Sequence, residues 1–493
     1  MKKTTITFLF LLFSLGNLRA QWVSPGTGNI YSMEDLASVS GGCVESIDES
    51  TFRITSDLTI ATNDQLTIEN GTSAVIINDQ ILITINGSFK CQQQIDFYGE
   101  GEDHFGLRFE NATDCQLNNI RFKNGTGFHV IESEVVFENC HFEAFTTQTT
   151  NAAVNYMNCS PTFSNCTFTD NYGAAISSGV NVKGSPLIKD CYFFNNVVSN
   201  QNLPQINLGP GDTDTIRIIG NQIIGNHYSM SGGIAVTDLI GTGSTIVLLK
   251  DNEIKDNRYG YNQQGFTISS LVIGNLIIDN NAETNPMNGG SGISIYGYNE
   301  NMKAKLRNNI ITGNLWGITA IYYNDIDLGT EDDYGNNSIF GNHNDGYGED
   351  AEFGIYNNSH SDITAIGNYW GTNNETEVED VIYHHPDLGD GYGTVTFLPI
   401  LVEEPTQVSQ YDEKEGTTLT VFPIPCHNEI TIESPFSTSV LTLFNSTGQP
   451  VYKQQIRMGT QQIELPELQS GIYFVVLESC GMSIRKKIVI TPQ

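Results

Sequence analysis

A short strand-like segment recurs nine times, and eight of its nine central residues are polar. These central residues are the first candidates for chemistry. Each segment has the form of Phe128-His129-Val130, whose central residue would point to solvent in a β-strand. Amides and hydroxyls in such a row can hydrogen-bond sugar hydroxyls, and Tyr156, Tyr296 or Tyr298 can stack on a sugar ring. The central residues are His129, Asn155, Asn181, Asn207, Ala235, Thr267, Ser294, Thr319 and Tyr356. The predicted ligand-binding residues are His129, Asn155, Asn181, Asn207, Thr267, Ser294 and Tyr296, and an ordinary polar exterior is the alternative.

Catalysis by this row has little support in the sequence. General acid–base chemistry needs a titrating pair within hydrogen-bond reach, and the row offers one histidine and no carboxylate, lysine or arginine. Lys303, Lys305 and Arg307 form the one basic run of the region, and His129 is far from them in sequence. We therefore predict no catalytic residues, and we keep an enzyme that uses His129 or Lys305 as the alternative.

A dense acidic run is the candidate metal site. Five carboxylates fall within nine residues, and hard oxygen ligands at this density suit calcium. Their spacing matches no defined calcium loop, so a solvated acidic turn is the alternative. The predicted calcium ligands are Asp325, Asp327, Asp332 and Asp333, and no other cofactor is expected.

A repeat indicates which elements would position these residues. Ten copies, about 28 residues apart, begin with Asn, Asp or Gly, continue with Cys or Asn in nine cases, and place an apolar residue two positions later. The first column tolerates a left-handed backbone. It comprises Asn119, Asn139, Asn165, Asp190, Gly220, Asp251, Gly274, Asn308, Asn336 and Gly367. A second Asn column follows in eight copies, from Asn171 and Asn196 through Asn226 and Asn257 to Asn373.

A unit of this kind cannot bury its own apolar face, so it must stack on copies of itself. Strands suit the Asn, Gly and β-branched content better than helices do. We predict a solenoid of about 13 coils, on the order of 60 Å long, whose Asn columns form hydrogen-bonded ladders. Residues 31–37 predict a short helix that begins at Ser32 and covers the first coil.

The two ends of the chain have different compositions. Residues 1–20 carry Lys2 and Lys3, then an apolar run and a small residue, which is typical of a secretory signal peptide. Residues 21–402 would form the solenoid and residues 403–417 an acidic linker. Residues 418–493 alternate with period two between turn residues, which predicts a small β-sandwich.

Two resemblances carry these predictions further. The segments Ser160–Phe168 and Ser185–Cys191, with the ending Asn368-Tyr369-Trp370-Gly371, resemble secreted right-handed parallel β-helix proteins of the pectate-lyase-like superfamily. That resemblance implies an all-β, right-handed parallel β-helix, and it is compatible with polysaccharide lyases or with surface proteins. Val421-Phe422-Pro423 and the closing Lys486-Lys487-Ile488 resemble the C-terminal sorting domain of the type IX secretion system of Bacteroidota. This resemblance implies an Ig-like β-sandwich, a contact with the type IX machinery, and an extracellular or outer-membrane surface location.

Charge narrows the range of partners. The chain has 23 basic and 56 acidic residues and a net charge of −33, and residues 418–493 are balanced, so the solenoid is strongly anionic. Nucleic acid and bare polyuronates would be repelled, which leaves neutral glycans, cationic partners and calcium-bridged anions. An acidic surface that only keeps a secreted rod soluble is the alternative. We expect a monomer without a membrane span that acts in adhesion or glycan binding, and a polysaccharide lyase or glycoside hydrolase is the second hypothesis.

Overall fold

The computed structural model describes most of the chain. Its described residues are 21–68, 71–101, 105–147, 151–241, 243–283, 285–347, 351–405, 420–422, 426, 429–445, 450–466, 468, 471–479 and 482–490. The predicted signal peptide and most of the predicted acidic linker lie outside them. The chain divides into two compact units, with the boundary between residues 407 and 408.

The first unit is a right-handed parallel β-helix with three sheets, and successive strands of one coil enter sheets B, C and A in turn. Among the described residues, sheets A and B have 14 strands each and sheet C has 13, which confirms the predicted architecture. Pairing is parallel throughout, except between the first two strands of sheet C. Sheet A comprises Trp22–Val23, Leu58–Ile60, Leu82–Ile85, Phe105–Glu110, Gly125–Ile131, Ala152–Met157, Ala174–Ser178, Leu203–Leu208, Ser231–Asp238, Tyr261–Gly265, Ser291–Gly297, Trp316–Tyr322, Ile355–Ser359 and Ile382–Tyr383.

Sheets B and C complete each coil. Sheet B comprises Ile30–Tyr31, Gln65–Ile68, Ser88–Cys91, Cys115–Asn118, Val135–Glu138, Thr162–Ser164, Leu187–Lys189, Thr215–Ile219, Thr245–Lys250, Ile268–Ile273, Lys303–Arg307, Asp325–Asp327, Ile363–Thr364 and Val395–Thr396. Sheet C comprises Val44–Ser46, Thr51–Ile54, Ala74–Ile77, Ile95–Gly99, Ile120–Lys123, His141–Glu143, Thr167–Thr169, Tyr192–Phe194, Gln222–Ile224, Glu253–Lys255, Leu276–Ile278, Ile310–Thr312 and Ser338–Phe340.

The turn from sheet B to sheet C explains the first column of the repeat. All ten predicted residues, from Asn119 to Gly367, have φ between 50° and 71°. This left-handed conformation is open to Gly and tolerated by Asn and Asp, whereas other side chains clash with the backbone. The left-handed bend is thus a local steric property of the sequence, and the prediction is confirmed.

The residue after the bend forms the first ladder. From Asn221 through Asn252, Asn275, Asn309 and Asn337 to Asn368, each amide Nδ2 donates to the Oδ1 of the next asparagine over 2.8–2.9 Å. Earlier coils fill the same position with Cys140, Cys166 and Cys191, which are free thiols. Burial raises the pKa of Cys140 and Cys166 well above the ordinary thiol value. The ladders are therefore structural, as the sequence predicts.

The second ladder departs from the prediction at two coils. Asn373 is exposed, and Asn342 Nδ2 donates instead to the carbonyl oxygens of Ile311 and Phe340, so the assignment of Asn373 to the ladder was wrong. Asn226 is only half-buried, and its Nδ2 donates to Asn195 Oδ1 over 2.9 Å. Gln205 occupies its place, because Gln205 Oε1 accepts from Asn196 and Gln205 Nε2 donates to Asn257 Oδ1 over 3.0 Å. The longer side chain reaches the ladder from the neighbouring strand of sheet A. The assignment of Asn226 to the ladder was therefore wrong.

Apolar residues of the third column fill the interior. Phe122, Phe142, Phe168 and Phe193 stack with ring centroids 4.6–5.3 Å apart, and isoleucines continue the column. Helix Met33–Val39 buries Met33 and Leu36 in the same core, and Ser32 caps it in a capping box with Asp35. At the other end, the short helices Glu375–Asp380 and His385–Leu388 precede Val395–Thr396, the last strand of sheet B. Two 3-10 turns, Pro286–Asn288 and Asp345–Tyr347, lie in loops between sheets C and A.

The second unit is a small antiparallel β structure. Its strands are Thr420–Phe422, Glu429–Asn445, Pro450–Glu464, Gly471–Ser479 and Met482–Ile490. The long strand Glu429–Asn445 pairs with Thr420–Phe422 in its first half and with Gly471–Ser479 in its second. It also pairs with Pro450–Glu464, with irregularities between Ser434 and Thr438 and between Leu443 and Phe444. The described strands enclose one apolar cluster that includes Ile432, Leu441 and Val475. This agrees with the predicted all-β fold.

Candidate functional site on sheet A

The register of the strands shows which residues form the outward column of sheet A, which the sequence predicts only in part. The column contains Thr84, Arg108, His129, Asn155, Ser177, Asn207, Ala235, Asn262, Ser294, Thr319 and Tyr356. Four of the predicted residues, His129, Asn155, Asn207 and Ser294, therefore lie in one file, and successive strands are about 4.8 Å apart. Tyr296 lies on the same strand as Ser294, two residues further on, and so faces the same side.

Two predicted members do not belong to this column. Asn181 is exposed in the loop that follows strand Ala174–Ser178, and Ser177 holds the column position of that coil. Thr267 lies in the turn between strands Tyr261–Gly265 and Ile268–Ile273, where its N–H donates to Asp238 Oδ2, and Asn262 holds the column position. The prediction that Asn181 and Thr267 lie in this column was wrong, because an apolar–polar–apolar triplet in a loop has the pattern of a strand. Ligand binding by these two residues stays a prediction.

Tyr156 also changes role, because its side chain is fully buried and unavailable for stacking on a ligand. Two members of the column interact with side chains on neighbouring strands. Asn155 Nδ2 donates to Ser177 Oγ, the next position of the column, over 2.9 Å. Thr319 Oγ1 lies 3.0 Å from the Oγ of Ser291, which lies outside the column. The column is mostly polar, and its members Ser177, Ala235 and Thr319 are buried.

Arg108 is the residue that the sequence reasoning missed. It lies directly beside His129 in the register, and its Nε donates to Glu110 Oε2 over 2.9 Å. Burial, and then the charge of Arg108, lower the pKa of His129, so its imidazole is neutral at neutral pH. His129 Nδ1 is buried without a hydrogen-bond partner among the described residues. The alternation Phe105-Gly106-Leu107-Arg108-Phe109 was the available signal, but it precedes the first recognised repeat.

Four aromatic residues, one exposed and three half-buried, form a group farther along the same side of the β-helix. We call Phe266, Tyr296, Tyr298 and Tyr322 the tyrosine cluster. The ring centroids of Tyr296 lie 5.4 Å from Tyr298 and 5.3 Å from Tyr322, and Phe266 lies 5.1 Å from Tyr298. Gln264 Nε2 donates to the Tyr298 hydroxyl over 2.9 Å. Tyr322 is 52% exposed and has φ of 60°.

A second aromatic group has a different character. Trp316 packs against Phe353 with ring centroids 4.6 Å apart and against Tyr356 at 5.2 Å, and Phe353 contacts Tyr383 at 4.5 Å. Trp316 and Phe353 are buried. These rings therefore contribute to packing of the last coils, and their faces are not open to a ligand.

The acidic run lies on sheet B and the loop after it, where it meets the basic run. Lys303 pairs with Asp325 over 3.0 Å, and Arg307 bonds both carboxylate oxygens of Asp327 over 2.8 Å. Asp333 receives Lys305 and Arg307, whose hydrogen bonds lower its pKa to about 2. Asp332 is exposed in the same loop. Three of the four predicted calcium ligands are thus neutralised by side chains.

The part of the chain that the structure describes, including the acidic run, contains no preformed metal site. There, no group of three or more His, Cys, Asp or Glu residues is arranged to hold a metal ion. Calcium at Asp325, Asp327, Asp332 and Asp333 stays a prediction, and an ion entering this site would compete with Lys305 and Arg307. None of the described helices is long and apolar enough to cross a membrane.

Comparison with known proteins finds a matching family in each of the two units. Residues 420–491 match the secretion system C-terminal sorting domain, and residues 213–376 match a family described as a protein of unknown function, DUF1565. No curated protein matches the chain. Among solved structures, the periplasmic alginate epimerase AlgG is 12% identical with a TM-score of 0.43, covering 75% of this chain and 83% of its own. A double mutant of the same epimerase is 10% identical with a TM-score of 0.45, covering 76% and 84%. Similarity at this level carries no argument about activity. The sorting domain indicates type IX export to the cell surface or the extracellular space.

Proposed function

We propose that this exported right-handed parallel β-helix binds neutral extracellular glycans on the outer face of sheet A, without catalysing a reaction on them. The observation that carries the proposal is the register of sheet A, which aligns Asn155, Ser177, Asn207, Asn262 and Ser294 in one file. Asn155, Asn207, Asn262 and Ser294 are half-buried, so a linear polymer laid across the strands, which are about 4.8 Å apart, can reach them. Ser177 is buried and accepts a hydrogen bond from Asn155.

Charge favours a neutral ligand. The chain carries a net charge of −33, and electrostatic repulsion disfavours anionic polymers over its whole surface. From Asn155 to Tyr356 the column consists of amides, hydroxyls and Ala235, with no ionisable carboxylate or ammonium group. Hydroxyl-rich neutral sugars can satisfy these side chains without the cost of burying a charge.

A binding assay with face-specific variants tests the proposal. Asn207→Leu combined with Ser294→Leu removes two hydrogen-bonding groups from the column, each worth about 1 kcal/mol, so affinity should fall roughly tenfold or more. Thr167→Leu is the matched control, because Thr167 is equally half-buried but lies on the outer face of sheet C. The measurement is calorimetric titration with soluble neutral polysaccharides. Equal losses in both variants, or no binding by the unmodified protein, would contradict the proposal.

An enzyme that acts on an extracellular polysaccharide is the second candidate, and the juxtaposition of His129 with Arg108 favours it. A neutral imidazole can accept a proton, and a guanidinium can neutralise a carboxylate on the substrate. Lys305 lies on sheet B in contact with Asp333, so it would not share a site with His129. Unsaturated or newly reducing sugar ends, released by the protein and lost in His129→Ala and in Arg108→Ala, would replace the first proposal with this one.

A further inference from the structure

We infer that the tyrosine cluster of Phe266, Tyr296, Tyr298 and Tyr322 is the subsite that holds one neutral sugar ring by stacking, and that Tyr322 is its principal contact. The inference rests on the proposed function and deepens it. It names one place on the face of sheet A, a chemical class for the ligand at that place, and the side chains that bind it.

The backbone of Tyr322 provides the first argument. Its φ of 60° is left-handed, a conformation that is strained for a residue other than Gly, Asn or Asp. The two preceding strands of sheet A have Gly265 and Gly297 in the register of Tyr322, and of these Gly265 has a positive φ, 135°. A glycine would fit the backbone of residue 322 better, because it adopts a left-handed φ without strain. Burial does not offset the strain, because the Tyr322 side chain is about half exposed.

The arrangement of the rings provides the second argument. Tyr296 and Tyr298 meet edge to face at 85°, Phe266 and Tyr298 at 87°, and Tyr296 and Tyr322 at 45°. An edge-to-face contact occupies only one face of the ring that receives the edge. Tyr322 meets Tyr296 at a tilt and is 52% exposed, so ring surface of the cluster remains open to a ligand. The carbon-bound hydrogens of a sugar ring pack well against such a face, while its hydroxyls stay at the edge.

Polar groups around the rings suit those hydroxyls. Gln264 already orients the Tyr298 hydroxyl, and the column residues Asn262 and Ser294 lie on the same two strands. The ring contacts within the cluster and its hydrogen bond from Gln264 all join uncharged groups. Because no member of the cluster is charged, stacking a neutral sugar ring on it desolvates no ionised group of the cluster.

The cluster differs from other exposed tyrosines of the protein. Tyr172 is also 52% exposed, but it lies in a loop between sheets C and A, outside the cluster. This difference provides a matched control for ring removal. Tyr322→Gly deletes the ring and relieves the left-handed strain, so the variant should be at least as stable as the parent. Loss of binding in this variant would therefore not report unfolding.

The experiment titrates the full exported protein with a soluble β-glucan, a mannan, a xylan and a galactan, each neutral. For any polymer that binds, we expect Tyr322→Gly and Tyr296→Ala each to weaken affinity roughly tenfold. Tyr322→Phe, which keeps the ring, and Tyr172→Ala should stay close to the parent protein. Thermal melting of each variant accompanies the titrations.

The outcomes separate the inference from the proposed function. Binding that is intact in Tyr322→Gly and Tyr296→Ala but weakened in Asn207→Leu with Ser294→Leu overturns the inference and leaves the proposed function standing. An absence of binding to all four polymers overturns both. Dimers in sedimentation that dissociate in Tyr322→Gly, with glycan binding unchanged, would assign the cluster to a second copy of the chain and also overturn the inference.

Discussion

The asparagine ladder allows a quantitative prediction, because removal of one amide leaves identifiable buried groups without partners. The perturbation is Asn275→Ala in the middle of the first ladder. Asn275 is fully buried, and its Nδ2 donates to Leu249 O and Asn309 Oδ1, each over 2.9 Å. Its Oδ1 accepts from the backbone N–H and the side chain of Asn252 over 3.0 and 2.9 Å.

The magnitude follows from what the alanine cannot replace. The backbone N–H of Asn252 loses its acceptor and the carbonyl of Leu249 loses its donor from Asn275, whereas Asn309 Oδ1 keeps the backbone N–H of residue 275. The buried N–H of Asn252, left without its acceptor, costs about 1–3 kcal/mol, and the lost bonds to Leu249 O and from Asn252 Nδ2 cost about 1 kcal/mol each. Together with the small cavity, we expect the free energy of unfolding to fall by about 3–5 kcal/mol.

Asn226→Ala and Gln205→Ala serve as controls, because the repeat pattern and the structure disagree about them. Asn226 fits the repeat but is half-buried, so its loss should cost less than about 1 kcal/mol. Gln205 does not fit the repeat but bonds three buried partners, so its loss should cost about 2–4 kcal/mol.

The assay is urea unfolding followed by far-ultraviolet circular dichroism, with amide hydrogen exchange to locate the loss of protection. In a solenoid, that loss should be greatest in coils adjacent to the substitution, because each coil contacts mainly its neighbours. The reasoning is refuted if Asn226→Ala destabilises the protein as much as Asn275→Ala does, or if Asn275→Ala costs less than about 1 kcal/mol.

Three further predictions concern the N-terminal end, the acidic run and the thiols. Burial raises the pKa of Asp64, but a hydrogen bond from Ser24 and the backbone N–H groups of Gly26, Gly28 and Asn29, which donate over 2.7–2.9 Å, together hold this pKa below the ordinary value. Asp64→Ala should therefore lower the free energy of unfolding by about 3 kcal/mol at neutral pH. The contribution of the Asp64 carboxylate to stability should be present above about pH 4 and should disappear as the pH falls through its lowered pKa. The measurement is thermal melting at a series of pH values. Millimolar calcium should leave the melting temperature unchanged, because Lys305 and Arg307 hold Asp327 and Asp333; a rise that Asp332→Asn abolishes would support a calcium site. Cys140, Cys166 and Cys191 should resist alkylation in the folded protein and react in urea, measured by mass spectrometry, because they are buried.

Local steric rules made much of the fold predictable. A left-handed bend restricts Asn119, Asn139 and their counterparts to a few residue types wherever it occurs, so the bends are visible without knowing what they pack against. The Cys or Asn column and the Phe or Ile column each recur once per coil, so these interior positions can be recognised from the repeat alone. The N-cap at Ser32 depends only on the next three residues.

Side-chain neighbours on the surface depend on register, which the sequence does not state. Loops of different lengths separate the strands of successive coils, so equal spacing along the chain does not mean the same place on a sheet. This is why Asn181 and Thr267 lie outside the column and why Gln205 replaces Asn226. It also explains the pairing of Arg108 with His129 and the neutralisation of the acidic run by Lys305 and Arg307.

The sequence by itself determined that the chain coils, where each coil bends, and which residues fill the interior, because these depend on local backbone sterics and on a regular period. Only the tertiary structure decided which outward side chains meet. The tyrosine cluster joins residues from Phe266 to Tyr322, which belong to three successive coils. Such contacts arise from hydrogen bonding between strands that are distant in sequence, and this pairing becomes defined only when the coils stack.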